Sequence, residues 1–337
     1  MMQRSGQRIH VRGGSRLHFG MLPGQWRGPQ AERAGEPPPP RRSFGSIGLM
    51  VSRPQMHLTI EAASHWSAAG PHSERALAYA RTLGALLGLG PFAVNIDSTA
   101  REHCGLGLGT QLAMGVASGL AAALPPARPR PSLVELGSEL QRGNRSAIGI
   151  HGAIHGGFLV DGGRLEKPAP LIARLAWPEH WSIVLVIPVG RPGRYGRQEI
   201  EAFEQLADLP ENEARNGRLC RLVLRDILPA VTEQDLPTFG GALHEFNRLV
   251  GEYFTPVQGG IYGNRRRLDI VQFLELNGGT GSGQSSWGPA IFTFVEGKEK
   301  AHRLFQQVRS EFSLEESEVL ISSGLNRGVA ASVDAVD

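Results

Sequence analysis

A glycine-rich run, GLGLGTQ at residues 105–111, constrains this chain more than any other feature, because it sits between a strand pattern and a helix pattern. Ahead of it, residues 92–97 are short, apolar and partly β-branched, as a buried strand would be. Behind it, Leu112, Ala113, Val116, Ala117, Leu120 and Ala121 recur at helical spacing. That spacing predicts a helix over 110–124, with Thr110 where an N-cap belongs. A glycine loop feeding a helix presents backbone N–H groups and the positive end of the helix dipole. Such a turn suits a phosphate or diphosphate. A tight strand–helix connection with close packing is the competing reading, and it also accounts for Gly115 and Gly119.

The chain's 337 residues are enough for a large core in two domains. At 41% hydrophobic and 20% charged residues it reads as an ordinary soluble globular protein. No run approaches the roughly 18 apolar residues of a membrane span, and residues 1–8 lack the apolar core of a signal peptide. Cys104 and Cys220 make neither a disulfide framework nor a zinc pattern, so a cytoplasmic setting is expected. The only lysines, Lys167, Lys298 and Lys300, lie away from the glycine-rich loops, which excludes a Walker-type P-loop. Positive charge is almost all arginine, the side chain suited to bidentate contacts with phosphate and carboxylate. The arginines form no long basic tract and aromatics are few, so small molecules, not nucleic acid, are the expected partners.

The chain opens with a predicted strand at 8–12 and a glycine-containing segment to residue 20. Residues 24–43 are rich in proline, glycine and charge and read as an exposed or disordered insertion. Paired strands are expected at 44–51 and 55–62, then helices at 73–89 and 132–142 around the glycine loop. The second half predicts a buried strand at 181–188 and helices at 198–207, 213–228 and 234–252. A loop at 255–262, a helix to about 276 and a second glycine loop at 278–289 follow. The last elements are a strand at 290–295, a helix at 298–312 and a strand at 317–322. This order gives an α+β fold in two lobes, residues 1–175 and 176–337.

Several side chains stand out beside these loops. Gly105, Gly107, Gly109, Thr110 and Gln111 are the first candidates for an anion site. Gly283, Ser285, Ser286 and Trp287 offer donors from the second loop, which reads equally as a connector. Trp287 either stacks on a ligand or packs the lobe interface. Arg16 and His18 alternate on an extended segment, which points both to one face. Arg145 and Ser146 are a second anion candidate. His151 and His155 have the spacing of metal ligands on a helix, but the glycines around them argue against a regular helix and no HExxH glutamate is present. Cys104 reads as a small buried thiol.

Seven segments in order carry a resemblance: SRLHFG (15–20), FGSIGLM (44–50), GLGLGTQ (105–111), RSAIGIHG (145–152), HGG (155–157), FTPVQGG (254–260) and QSSWGP (284–289). Together they are similar to the β-ribofuranosylaminobenzene 5′-phosphate synthase family of methanopterin biosynthesis, within the GHMP kinase superfamily. The resemblance implies an N-terminal ribosomal-S5-like lobe and a C-terminal ferredoxin-like lobe. It also implies transfer of phosphoribose from 5-phosphoribosyl 1-diphosphate to 4-aminobenzoate or 4-hydroxybenzoate, with release of diphosphate and CO2. Magnesium carried with the diphosphate, met by Glu102 and Asp97, and a homodimer are further implications. An ATP-dependent small-molecule kinase on the same fold is the alternative. Two departures weigh against it. Kinases carry GLGSSAA where Leu108 and Thr110 stand here, and an aspartate where Ile148-Gly-Ile-His151 runs. The decarboxylating reaction needs no strong base, and it leaves His151, His18 and Arg16 as the expected catalytic group, with His151 orienting the aromatic substrate or polarising the leaving group.

Overall fold

The computed structural model describes residues 7–22, 42, 45–165, 168–189, 197–207, 209 and 212–334, and the insertion expected at 24–43 lies outside them except for Arg42. Two sheets carry the fold. The first half of the chain holds β1 (Arg8–Met21), β2 (Ser46–Ala62), β3 (Ser67–Ala69), α1 (Ser73–Leu87), β4 (Phe92–Ser98) and α2 (Leu108–Ala122). It continues through α3 (Leu133–Glu139), α4 (Ile148–His155), β5 (Phe158–Asp161) and β6 (Leu171–Leu175). The second half holds β7 (Trp181–Val186), α5 (Arg197–Ala207), α6 (Glu213–Arg221), a π-helical turn at Leu222–Ile227, α7 (Leu228–Glu233) and α8 (Leu236–Gln258). After these come α9 (Arg265–Leu276), β8 (Thr280–Gln284), β9 (Ile291–Glu296), α10 (Lys298–Phe312) and β10 (Val319–Ser323). The last strand, β11 (Ala330–Asp334), returns to the first lobe and pairs with β1. The first sheet has the order β11-β1-β2-β4-β3, with β5 on β2 and β6 on β5, and the second has the order β10-β7-β9-β8.

This is the two-lobed α+β architecture that the element order predicts, with four local differences. The strands expected at 44–51 and 55–62 do not pair with each other. They are one strand, β2, and both halves pair with β1. The register jumps from Gly13↔Met56 to Ser15↔Val51, so residues 52–55 bulge out of the ladder. Secondly, α4 is a regular helix despite its glycines. Each glycine disfavours helix by about 1 kcal/mol, but a Cβ at Gly149 would lie 2.8 Å from Thr110 Cγ2 and one at Gly152 2.5 Å from Met50 Sδ. Close packing against α2 and β2 outweighs propensity there. Thirdly, α8 runs on to Gln258 through Pro256, where a loop was expected; the missing N–H removes only one hydrogen bond near the helix end. Lastly, part of the second glycine loop is extended as β8.

The lobes share one core. Leu17, Phe19 and Phe158 of the first meet Trp181, Phe239 and Phe294 of the second, all fully buried. Phe19 stands edge-on to Phe292 at 4.9 Å between centroids, and Phe239 to Phe294 at 5.3 Å. Such pairs contribute about 0.5–1.5 kcal/mol each beyond area burial. A cleft between the lobes therefore has a fixed floor.

Candidate active site

The glycine loop enters α2 two residues earlier than its periodicity suggests. The N-cap is Gly107 at φ 73°, not Thr110, and no side chain caps the helix. A left-handed cap is open to glycine at little cost and disfavours other residues. Leu108, Gly109 and Thr110 form the first turn and line a cleft of about 360 Å³. The start of a helix without a side-chain cap at a cleft wall is an electropositive position. Gln111 is turned inward, where its Nε2 donates to Gly149 O at 3.0 Å and ties α2 to α4.

Three arginines from separate elements converge on this turn. Arg16 comes from β1, with its Nε 2.8 Å from where a Cβ on Gly107 would stand. Arg75 comes from the first turn of α1 and Arg142 from beyond α3; their Nη1 atoms lie 3.7 and 3.5 Å from the equivalent point on Gly109. A Schellman turn aims Arg142. Gln141 is left-handed at φ 58°, Arg142 N–H donates to Gly137 O at 2.9 Å and Gln141 N–H to Ser138 O at 2.8 Å. Arg142 Nε then braces on Leu140 O at 2.9 Å. Arg16 Nε is buried without a hydrogen-bond partner among the described residues. Burial pushes the Arg16 guanidinium down to about 10, while Glu199 and Asp161 pull it up, so it is charged at neutral pH. Two carboxylates line the same cleft, and each is held by an arginine: Glu102 by Arg75 at 2.6 Å and Glu199 by Arg145 at 2.5 Å.

The second loop is laced to the first. Ser285 Oγ donates to Gly105 O at 2.8 Å and accepts from His18 N–H at 3.1 Å. Ser286 N–H donates to His18 O at 2.9 Å, Arg16 N–H to Leu106 O at 3.0 Å and Ala290 N–H to Cys104 O at 3.1 Å. Ser285 thus spends its hydroxyl on the scaffold, while Ser286 lines the cleft. Gly283 lies behind, in β8, against the Asn247 amide. Asn247 clamps the lobes: its Nδ2 donates to Phe19 O at 2.7 Å and Gln284 O at 3.0 Å, and its Oδ1 accepts from Gln284 N–H at 2.9 Å. Trp287 lines the cleft and packs the interface, stacked on Phe203 at 5.1 Å and edge-on to Phe254 at 5.0 Å. His18 lies behind Trp287 beside a smaller cavity of about 30 Å³, room for a single water. Its Nε2 is buried with no partner among the described residues. Burial, and then Arg16, holds its pKa well below the usual imidazole value, so the ring is neutral.

Other sequence candidates stand elsewhere. His151 is not among the residues lining the cleft; its Nε2 lies 2.8 Å from Ala169 O and its ring stacks on His155. Among the described residues no group of three or more His, Cys, Asp and Glu gathers as a metal site. Arg145 flanks the cleft through Glu199 and covers the Phe203 ring at 4.5 Å. Ser146 joins a buried network around Asp161, which accepts from Ser46 N–H, Ser46 Oγ, Ala147 N–H and Gly163 N–H. Cys104 is buried, its Sγ on Arg101 O at 3.0 Å, and burial pushes its thiol pKa up. Asp97 pairs with His57 at 3.3 Å and is not among the cleft residues, unlike Glu102. Sequence reasoning passed over Arg75, Arg142 and Asn247. Tyr79 next to the loop carries the same message: its hydroxyl lies 3.4 Å from Gly109 O, and Arg142 stands 5.9 Å over its ring.

The fold and the sequence have counterparts among known proteins. Residues 227–314 match the GHMP kinases C terminal family. A homoserine kinase from Cytophaga hutchinsonii superposes with a TM-score of 0.64 at 14% identity, over 98% of this chain and 99% of that one. A mevalonate diphosphate decarboxylase from Enterococcus faecalis does so with a TM-score of 0.61 at 11% identity, over 97% and 99%. These likenesses show the fold. In sequence, the β-ribofuranosylphenol 5′-phosphate synthase of Archaeoglobus fulgidus is 27% identical over 87% of this chain and 93% of its own. The protein of the same name from Methanocaldococcus jannaschii is 32% identical over 64% and 67%. At 32% identity over two thirds of that relative, the chain belongs to the β-ribofuranosylphenol 5′-phosphate synthase family, enzymes built on the GHMP kinase fold.

Proposed function

We propose that this enzyme is a decarboxylating phosphoribosyl transferase of methanopterin biosynthesis. It joins 5-phosphoribosyl 1-diphosphate to 4-hydroxybenzoate or 4-aminobenzoate and releases diphosphate and CO2. The observation that carries this reading is the convergence of Arg16, Arg75 and Arg142 on the uncapped first turn of α2. Three guanidiniums and a helix N-terminus make a site for a diphosphate without a lysine. The relatives' name describes a ribose phosphate borne on a phenol ring, which favours the hydroxy acceptor.

The bond from ribose C1 to the diphosphate breaks, and its electron pair leaves with the diphosphate. The arginines and the helix end stabilise that developing charge. The ring carbon bearing the carboxylate bonds to C1, pushed by the para hydroxyl or amino group. The bond to the carboxylate then breaks, CO2 departs and its electron pair restores the ring. No proton has to be removed, and the position where kinases carry an aspartate holds His151, turned to Ala169 O. Arg16 contacts the leaving group, and Trp287 walls the cleft against water, with neutral His18 behind it. Magnesium enters with the diphosphate as part of the substrate, and the cleft carboxylates Glu102 and Glu199 are each held by an arginine. A homodimer in the cytoplasm belongs to the same reading.

Release of 14CO2 from carboxyl-labelled 4-hydroxybenzoate or 4-aminobenzoate tests it. Release only with phosphoribosyl diphosphate and magnesium present is expected. Silence with both acceptors, together with ATP consumption and a phosphorylated alcohol product, would replace this reading with the kinase one.

A further inference from the structure

The three arginines at the anion-binding turn are held differently. Arg142 is braced by a main-chain carbonyl, and Arg16 has a buried Nε with no partner among the described residues. Arg75 is paired to Glu102, a carboxylate that itself lines the cleft. One guanidinium faces both: Arg75 Nη2 is 2.6 Å from Glu102 Oε1, and its Nη1 is 3.7 Å from where a Cβ on Gly109 would stand. Arg75 also sits in the first turn of α1, the helix end where a cation is disfavoured. Glu102 offsets that cost.

We infer that Glu102 is an internal competitor for the anion site. It occupies Arg75 in the free enzyme and yields it to an incoming diphosphate, so the ligand's charge decides whether Arg75 joins the site. The inference rests on the diphosphate reading of the cleft. Both side chains are over a third exposed, 36% and 37%, so their pairing is weak and screened by salt. That strength suits exchange. A diphosphate brings more charge and more oxygens to the guanidinium than a carboxylate does. The displaced Glu102 has other partners at hand, with His103 Nε2 at 3.4 Å and His72 Nδ1 at 3.9 Å.

Calorimetric titration of inorganic pyrophosphate into the wild type, Glu102→Gln, Arg75→Gln and the double variant, in chelator, tests this. Arg75→Gln is expected to weaken binding about tenfold, the loss of one charge-assisted contact. Glu102→Gln is expected to tighten it about threefold, the release of one exposed ion pair. In the double variant the gain from Glu102→Gln should vanish, because the two effects run through one contact. Binding weakened or unchanged by Glu102→Gln overturns the inference, and so does a full gain that persists without Arg75, which would be a general field effect. A repeat with magnesium in which Glu102→Gln weakens binding would assign Glu102 to the metal and also overturn it. No binding of pyrophosphate to the wild type would remove the diphosphate reading along with this one, whereas wild-type binding with an inert Glu102→Gln removes only this one.

Discussion

Gly107→Ala separates an anion site from a mere turn. Gly107 holds φ 73° as the N-cap of α2. Placing an L-residue there costs roughly 1–2 kcal/mol of stability. The new methyl would lie 2.8 Å from Arg16 Nε and 3.3 Å from Arg16 Cβ and Nη2. The first distance is too short for any relaxed contact, so the guanidinium must swing off the turn. A charge-assisted hydrogen bond to an anion contributes about 1.5–3 kcal/mol. Its loss should weaken pyrophosphate binding by about 10–150-fold. Titration calorimetry reads the affinity, and urea unfolding of the same samples reads the stability. The expected result is a large fall in affinity with a modest fall in stability. The same stability loss with unchanged affinity would mean that Arg16 and the loop hold no anion.

His151→Gln removes the ring that reaches Ala169 O, so stability should fall by about 1–3 kcal/mol while CO2 release stays within about threefold, the reach of small indirect shifts; a collapse of turnover at unchanged stability would return His151 to the reaction. Asn247→Ala strips three buried hydrogen bonds, one to Phe19 O across the lobes and two to the Gln284 main chain. It should destabilise by about 3 kcal/mol, read by urea unfolding, and an effect below about 0.5 kcal/mol would refute the clamp. His18 predicts a pH dependence. Its folded pKa lies well below 6.5, so below about pH 6.5 the unfolded chain binds a proton that the folded one refuses. Stability contributed by neutral His18 is complete above that pH and declines as pH falls toward the folded pKa. That part of the slope should be missing from His18→Gln in melts between pH 7 and pH 5, and an identical slope in both proteins would refute it.

The local signals in the chain were strong because they depend on neighbours in sequence. The β4–loop–α2 unit is written in seven residues and an apolar periodicity. The helix expected from residue 132 is α3, and the structure adds a capping box between Ser132 and Glu135. The order of elements, with the seven motifs, was enough for the two-lobed fold and the family. The absence of lysine from the loops is read directly off the sequence.

What tertiary structure decided was contact between distant segments. Glycines 149 and 152 argue against a helix in isolation, and only the proximity of Thr110 and Met50 makes α4 the better solution. Two apolar runs separated by a proline read as two strands until β1 is long enough to pair with both. Arg75 and Arg142 lie on either side of the loop in sequence, one inside a helix and one past another, with nothing local to distinguish them from the other arginines. Their guanidiniums meet at Gly109 because α1 and α3 both pack on α2. His151 reaches Ala169 O, a placement that its sequence neighbours do not reveal. Periodicity and turn chemistry act over a few residues and are therefore written in the sequence. Convergence of charge on one point depends on how helices cross, and packing sets that.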